Sequence, residues 1–188
     1  MFDEQCLMNL INNQTKKKEN TKMPKFFNVR AKEKNVAPVF VTGSVANDFK
    51  KTREFYRSNV HTFINAFDIA KSEMKIESNE WKLFFRNIRS SLGYCKDSSK
   101  ELAIDVRRYD VKQIVSTIIH ELQHSKQYDE GLLEKSEKRN HKKWKGENVK
   151  TCSSTVNYEE YLKLPWEIDA RNAEKKYLDK VMKRLEEK

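Results

Sequence analysis

The amino-acid sequence predicts an α+β fold: a small β-sheet packed on a motif-bearing helix, with a long helix before it and another helix at the C-terminal end. Three observations predict this. Short β-type runs occur at Lys25–Arg30 (KFFNVR), Pro38–Gly43 (PVFVTG) and in ELAIDVRRY from Glu101. Apolar residues recur at helical spacing in three longer stretches. Glycine and proline are scarce, with four and three in 188 residues, which argues against a repeat of short turns and against disorder.

The length suits one domain, expected over residues 26–188, with a flexible or loosely docked tail over residues 1–25 where Asn, Gln, Lys and Thr surround NNQTKKKENTK. The two N-terminal β-runs flank a turn-like AKEKN. From about Asn47 to Glu73 the pattern becomes helical, with Phe49, Tyr56, Val60, Phe63 and Phe67 recurring at sevens, fours and threes and with Asn47 or Asp48 as N-cap. His61 falls inside this helix and reads as a surface or core-edge residue. WKLFFRNIRSSLGYC is ambiguous: a short helix suits its first half, and Ser91–Cys95 looks extended. KDSSK is a turn cluster, after which Leu102, Ile104 and Val106 alternate with Ala103 and Asp105 as in a half-buried strand. A hairpin therefore leads into the helix that begins after Asp110.

That helix carries the chemistry. Val111, Ile114, Val115, Ile118, Ile119 and Leu122 share one broad face. His120 and His124, in His120-Glu121-Leu122-Gln123-His124, lie one turn apart on the other side. Only four histidines occur in the chain, so two of them at this spacing is informative. Two imidazoles at i and i+4 can ligate one Zn2+, and the intervening Glu121 is placed to accept a proton from a zinc-activated water as general base. A catalytic zinc takes a third protein ligand and leaves a position for water. A metzincin would put a histidine six residues after His124, where this chain has Glu130. Two candidates remain. Glu167 lies in the first turn of the last helix, in line with its apolar stripe of Ala170, Ala173, Tyr177, Val181 and Leu185; a buried carboxylate needs a metal or a partner charge. His141 lies in the long polar connection between Gly131, a C-cap glycine, and Pro165, which suits the first position of the last helix. That connection is expected to hold a short strand at most. Tyr158 and Tyr161 are candidate donors to a tetrahedral oxyanion, and Asp105, Asp110 or Asp169 could orient a ligand histidine through its second ring nitrogen.

The succession of hairpin, H-E-x-x-H helix and helix with an acidic ligand resembles the zincin fold of zinc metallopeptidases, over about residues 88–180. WEIDARNAE, Trp166–Glu174, is similar to the E-x-[EQ]-A-x-x-[FA] segment of ImmA/IrrE-type peptidases, a gluzincin-like pattern that implies Glu167 as third ligand. WKG, a following Tyr and LPWEIDA are also similar to small phage-encoded and bacterial zincin-like proteins. A competing resemblance, to SprT-like proteases acting on DNA-crosslinked proteins, implies His141 as ligand with Trp144 after it. Against it, the chain lacks that family's glycine after the histidine and its cysteine-rich zinc ribbon.

A protein or peptide substrate follows from the peptidase reading. The net charge of +10 favours weak contact with nucleic acid or acidic partners, and a basic binding protein with a structural or vestigial zinc is the alternative function. Cys6, Cys95 and Cys152 form no metal or disulfide pattern, the first residues do not read as a signal peptide, and no stretch is long and apolar enough to span a membrane. A cytoplasmic protein is expected, in a host cytoplasm or a virion if the chain is virus-encoded.

Overall fold

A computed structural model describes residues 26–28, 37–42, 50–88, 91–107 and 110–187. The N-terminal tail expected over 1–25, the AKEKN turn and the caps Asn47 and Asp48 lie outside the described residues. The fold is α+β. In chain order its elements are β1 (Phe26–Asn28), β2 (Val39–Thr42), α1 (Lys50–Glu73), β3 (Lys82–Arg86), β4 (Gly93–Lys96), a 3-10 turn (Asp97–Ser99), β5 (Glu101–Asp105) and α2 (Val111–Asp129). Then follow β6 (Leu133–Lys135), β7 (His141–Trp144), β8 (Glu147–Lys150), α3 (Tyr158–Leu162) and α4 (Pro165–Glu186).

Among the described residues, five strands form the main sheet in the order β1-β2-β3-β5-β4. The central strands β2, β3 and β5 run parallel, and β1 and β4 are antiparallel additions at its two edges. Helices α1, α2 and α4 pack together, with α2 lying against β4 and β5. Phe63, Phe67, Leu83, Phe85, Leu102, Ile104, Ile114, Ile118 and Ile119 fill the layer between sheet and helices. Full burial of a side chain of this size contributes about 1.5–3 kcal/mol, so this layer fixes α2 firmly.

Lys82–Arg86 is a strand rather than the short helix that its sequence allowed. Its Leu83, Phe84 and Phe85 are buried in succession, on both faces of a central parallel strand, which removes the alternation that marks a half-buried strand. Likewise β5 is covered on both sides from Leu102 to Asp105. Helix α2 starts where expected: Asp110 caps it by accepting from the Gln113 amide. Gly131 follows it in the left-handed region, φ 67°. Pro165 stands at the first position of α4. The connection from 132 to 164 is more ordered than its composition suggested. It forms a three-stranded antiparallel sheet, β6-β7-β8, and the short helix α3. Among the described residues, no helix is long and apolar enough to cross a membrane.

Candidate metal centre

The packing of α2 against α4 builds the site. The apolar side of α2 turns to the sheet, which leaves His120 and His124 directed at α4, whose first turn presents Glu167. Leu164, Trp166, Ala170 and Ala173 are buried around it, so the start of α4 is anchored and Glu167 has little freedom. His120 Nε2 and His124 Nε2 stand 3.1 Å apart. Glu167 brings Oε2 to 3.3 Å from the first and Oε1 to 3.5 Å from the second. Glu167 is 4% exposed and His124 7%, and the three donor atoms lie within 4.8 Å of one another. This buried His120–His124–Glu167 group could hold a metal ion. Glu167 Oε2 has no aligned hydrogen-bond partner despite its burial, which is costly for a carboxylate oxygen unless a cation faces it.

Each histidine is held from behind by a different kind of group. His120 Nδ1 is 2.6 Å from Glu174 Oε1, and the Ser116 hydroxyl donates to Glu174 Oε2 at 2.5 Å. His124 Nδ1 is 2.9 Å from Gln127 Oε1. The Gln127 amide in turn donates to Asp169 Oδ2 at 2.7 Å and to the Trp166 carbonyl at 3.0 Å. Such contacts set ring orientation and leave each Nε2 facing forward. Of the three candidate aspartates, Asp169 acts on His124 through Gln127. Asp105 is engaged by Arg107 and Asp110 is spent on the helix cap.

Glu174 was not among the site residues read from sequence, although a signal existed: it lies seven residues after Glu167, two turns along the same face of α4. Gln127, three residues beyond His124, is the analogous neighbour on α2.

The charges are strongly coupled. Burial works against a positive His120, but its contacts with Glu167 and Glu174 outweigh burial and lift its pKa to about 10. Burial would raise Glu167, yet its contacts with His120, His124 and Tyr161 hold it well below the ordinary carboxylate range. Glu174 is lowered in the same way, against its burial, by His120 and Ser116. Glu121, 5% exposed, moves up: burial dominates, and the two histidines only partly offset it.

A cavity of about 230 Å³ opens onto the group. Glu121, His124 and Glu167 line it, with Gly93, Tyr94 and Cys95 of β4 on one side and Lys142, Thr151, Cys152 and Tyr161 on the other. Gly93 is required by this approach. A Cβ there would meet Glu121 Oε1 at 2.8 Å, the Ala103 carbonyl at 2.9 Å and Thr117 Cγ2 at 2.9 Å.

Tyr161 faces the cavity beside Glu167. Burial first, then the Glu167 charge, pushes its phenol well above the usual range, so it is a proton-bearing donor. Tyr158 is 61% exposed outside the cavity and stacks on Tyr161, with ring centroids 6.4 Å apart. His141 lies in β7 with its Nδ1 against the Arg139 carbonyl at 2.8 Å, and it does not join the group. Compared with family models, curated proteins and solved structures, the chain matches none.

Proposed function

We propose that the chain is a zinc-dependent peptidase of the zincin type, with His120, His124 and Glu167 as zinc ligands and Glu121 as general base. One observation carries the reading. Donor atoms placed tetrahedrally at about 2.0–2.1 Å from one zinc ion lie about 3.3 Å apart. Here the two ring nitrogens stand 3.1 Å apart and the Glu167 carboxylate straddles them, Oε2 at 3.3 Å from His120 Nε2 and Oε1 at 3.5 Å from His124 Nε2, so three donors of the types zinc prefers lie within 4.8 Å of one another. The carboxylate behind His120 and the amide behind His124 are the supporting contacts that metal-ligating histidines use.

When bound, zinc supplies a Lewis acid that polarises a carbonyl and makes a water nucleophilic near neutral pH. The chain's own residues supply the rest. Glu121 takes a proton from the attacking water at a carboxylate oxygen and hands it to the leaving amine, and its raised pKa suits both transfers. Tyr161 donates its phenolic hydrogen to the oxyanion. Among the described residues β4 is an edge strand beside the cavity, where an extended peptide could lie as a sixth strand. Gly93 lets that strand run close enough to Glu121 for the scissile bond to reach it.

The test is a pair of measurements on purified protein: bound metal by elemental analysis, and hydrolysis of an unstructured protein such as casein. One zinc per chain and cleavage lost in Glu121→Gln, with zinc retained, are expected. A Glu121→Gln protein that cleaves as fast as the parent sinks the mechanism. The other function considered from sequence, binding of nucleic acid or an acidic partner, draws on the net charge and on the exposed Lys138, Arg139, Lys145 and Lys150 around β7 and β8. It requires affinity for DNA or RNA that falls steeply with salt.

A further inference from the structure

Lys142 occupies a position that its strand would ordinarily give to an apolar side chain. Side chains alternate along β7, and Trp144 turns towards α2 and α4, where it joins Leu133, Val149, Leu164 and Trp166. Lys142 is two residues away and is paired with Val149, so it shares that inward face. It lines the cavity together with Glu121, His124 and Glu167. Inward-pointing charges protect exposed sheet edges from mispairing, but β7 is the central strand of its sheet and has no edge to protect.

The ammonium is held in place. Nζ donates to the Tyr128 hydroxyl at 3.0 Å and lies 5.6 and 5.5 Å from the ring centroids of Tyr128 and Trp166. A lysine has three N–H donors. Among the described residues no carboxylate forms an ion pair with it. A cation hydrogen-bonded to the Tyr128 hydroxyl and set against the Trp166 ring, with donors to spare and partly shielded from water, is built to receive an anion.

We propose that Lys142 is a specificity residue of the cavity and selects peptides that place a carboxylate against it. The assignment rests on the peptidase reading for the direction in which substrate lies. The shared chemistry is a carboxylate, supplied either by an Asp or Glu side chain or by the free C-terminus of a short peptide.

The test measures binding rather than turnover, by titration calorimetry on zinc-loaded Glu121→Gln protein. The probes are N-acetylated, C-amidated Ala/Ser hexapeptides with one Glu, one Gln or one Lys at each position in turn, plus the unsubstituted peptide with a free or an amidated C-terminus. A preference of about tenfold or more is expected for Glu over Gln at one position, or for the free acid over the amide, and this contrast identifies the source. Lys142→Met, which keeps the stem, should abolish the preference. Lys142→Glu should invert it towards a peptide carrying Lys.

Equal affinities throughout the series, no binding by any peptide, or a Glu preference that survives in Lys142→Met each overturn the assignment. Hydrolysis by the parent protein is scored separately. A carboxylate preference without hydrolysis keeps Lys142 in this role and rejects the peptidase reading; hydrolysis with no preference does the reverse.

Discussion

The helix pair α2–α4 and the segment joining them, from β6 to α3, meet at one cavity but are made differently. The helices put their functional groups on long, buried elements, and each ring nitrogen has a named partner behind it: Glu174 for His120 and Gln127 for His124. The joining segment is three short strands and five residues of helix. A small cluster centred on Leu133, Leu164 and Trp166 holds it to the rest. On the peptidase reading proposed above, the difference separates two tasks. A proton transfer tolerates little misplacement, so its groups sit where packing fixes the rotamers. A wall that meets substrate side chains can be shorter, more polar and more exposed, as with Lys142, Thr151 and Tyr161.

Breaking the helix side should cost most. Glu121→Gln preserves the shape and hydrogen-bonding capacity of the side chain but removes the base, and a loss of about 10³-fold in kcat is expected with metal content unchanged. Tyr161→Phe tests whether the wall adds to the chemistry. Loss of one transition-state donor should lower kcat about 10²-fold and leave KM nearly constant. A parallel rise in KM would instead mark Tyr161 as a substrate contact.

Much of the helix side was legible from sequence because its signals are local. Six aliphatics on one face of α2 and two histidines opposite them follow from helical periodicity. Pro165 sets the start of α4, and from there the angular position of Glu167 follows. What was not legible depends on docking. Lys82–Arg86 lost its alternation because the helices and other parts of the fold cover both of its faces. HKKW at His141–Trp144 carries too much charge to read as a strand, since its lysines at 142 and 143 point to opposite sides of a sheet that has only a small apolar face. Glu174 is not legible because nothing local says that α4 lies alongside α2 with the register that sets it 2.6 Å from His120.

That register gives a sharper test of the helix side. Glu174→Gln keeps a hydrogen-bond acceptor near His120 Nδ1 but removes its charge, and the zinc dissociation constant should rise about tenfold in a chelator competition. Ser116→Ala, one contact further out, should change it less. An unchanged affinity in Glu174→Gln would mean that the carboxylate matters to helix packing and not to the metal.

Gly93→Ala probes the seam between β4 and α2. The added methyl would fall under 3.0 Å from the Glu121 carboxylate, the Ala103 carbonyl and Thr117 Cγ2, and two of the three cannot move without shifting backbone or helix. A destabilisation of about 1–3 kcal/mol is expected from the urea midpoint, as for overpacking in a core. The substitution should also impair activity by displacing Glu121. A variant of normal stability and activity would show that β4 sits further from α2 than these distances require.

The smallest effect belongs to Tyr158, and its smallness is informative. Its ring stacks on that of Tyr161 at an interplanar angle of 21° but is 61% exposed and lies outside the cavity. Aromatic pairs of this kind contribute about 0.5–1.5 kcal/mol, and solvent exposure favours the lower end. Tyr158→Ala removes that stacking and leaves the Tyr161 hydroxyl beside Glu167. The expected outcome is a stability change below about 1 kcal/mol and a kcat within about twofold of the parent. The two tyrosines are three residues apart on one short helix, so they control for each other. A loss in Tyr158→Ala as large as that in Tyr161→Phe would mean that α3 is held over the site by the stacked pair, and that the wall of the cavity is as rigidly specified as the helices it joins.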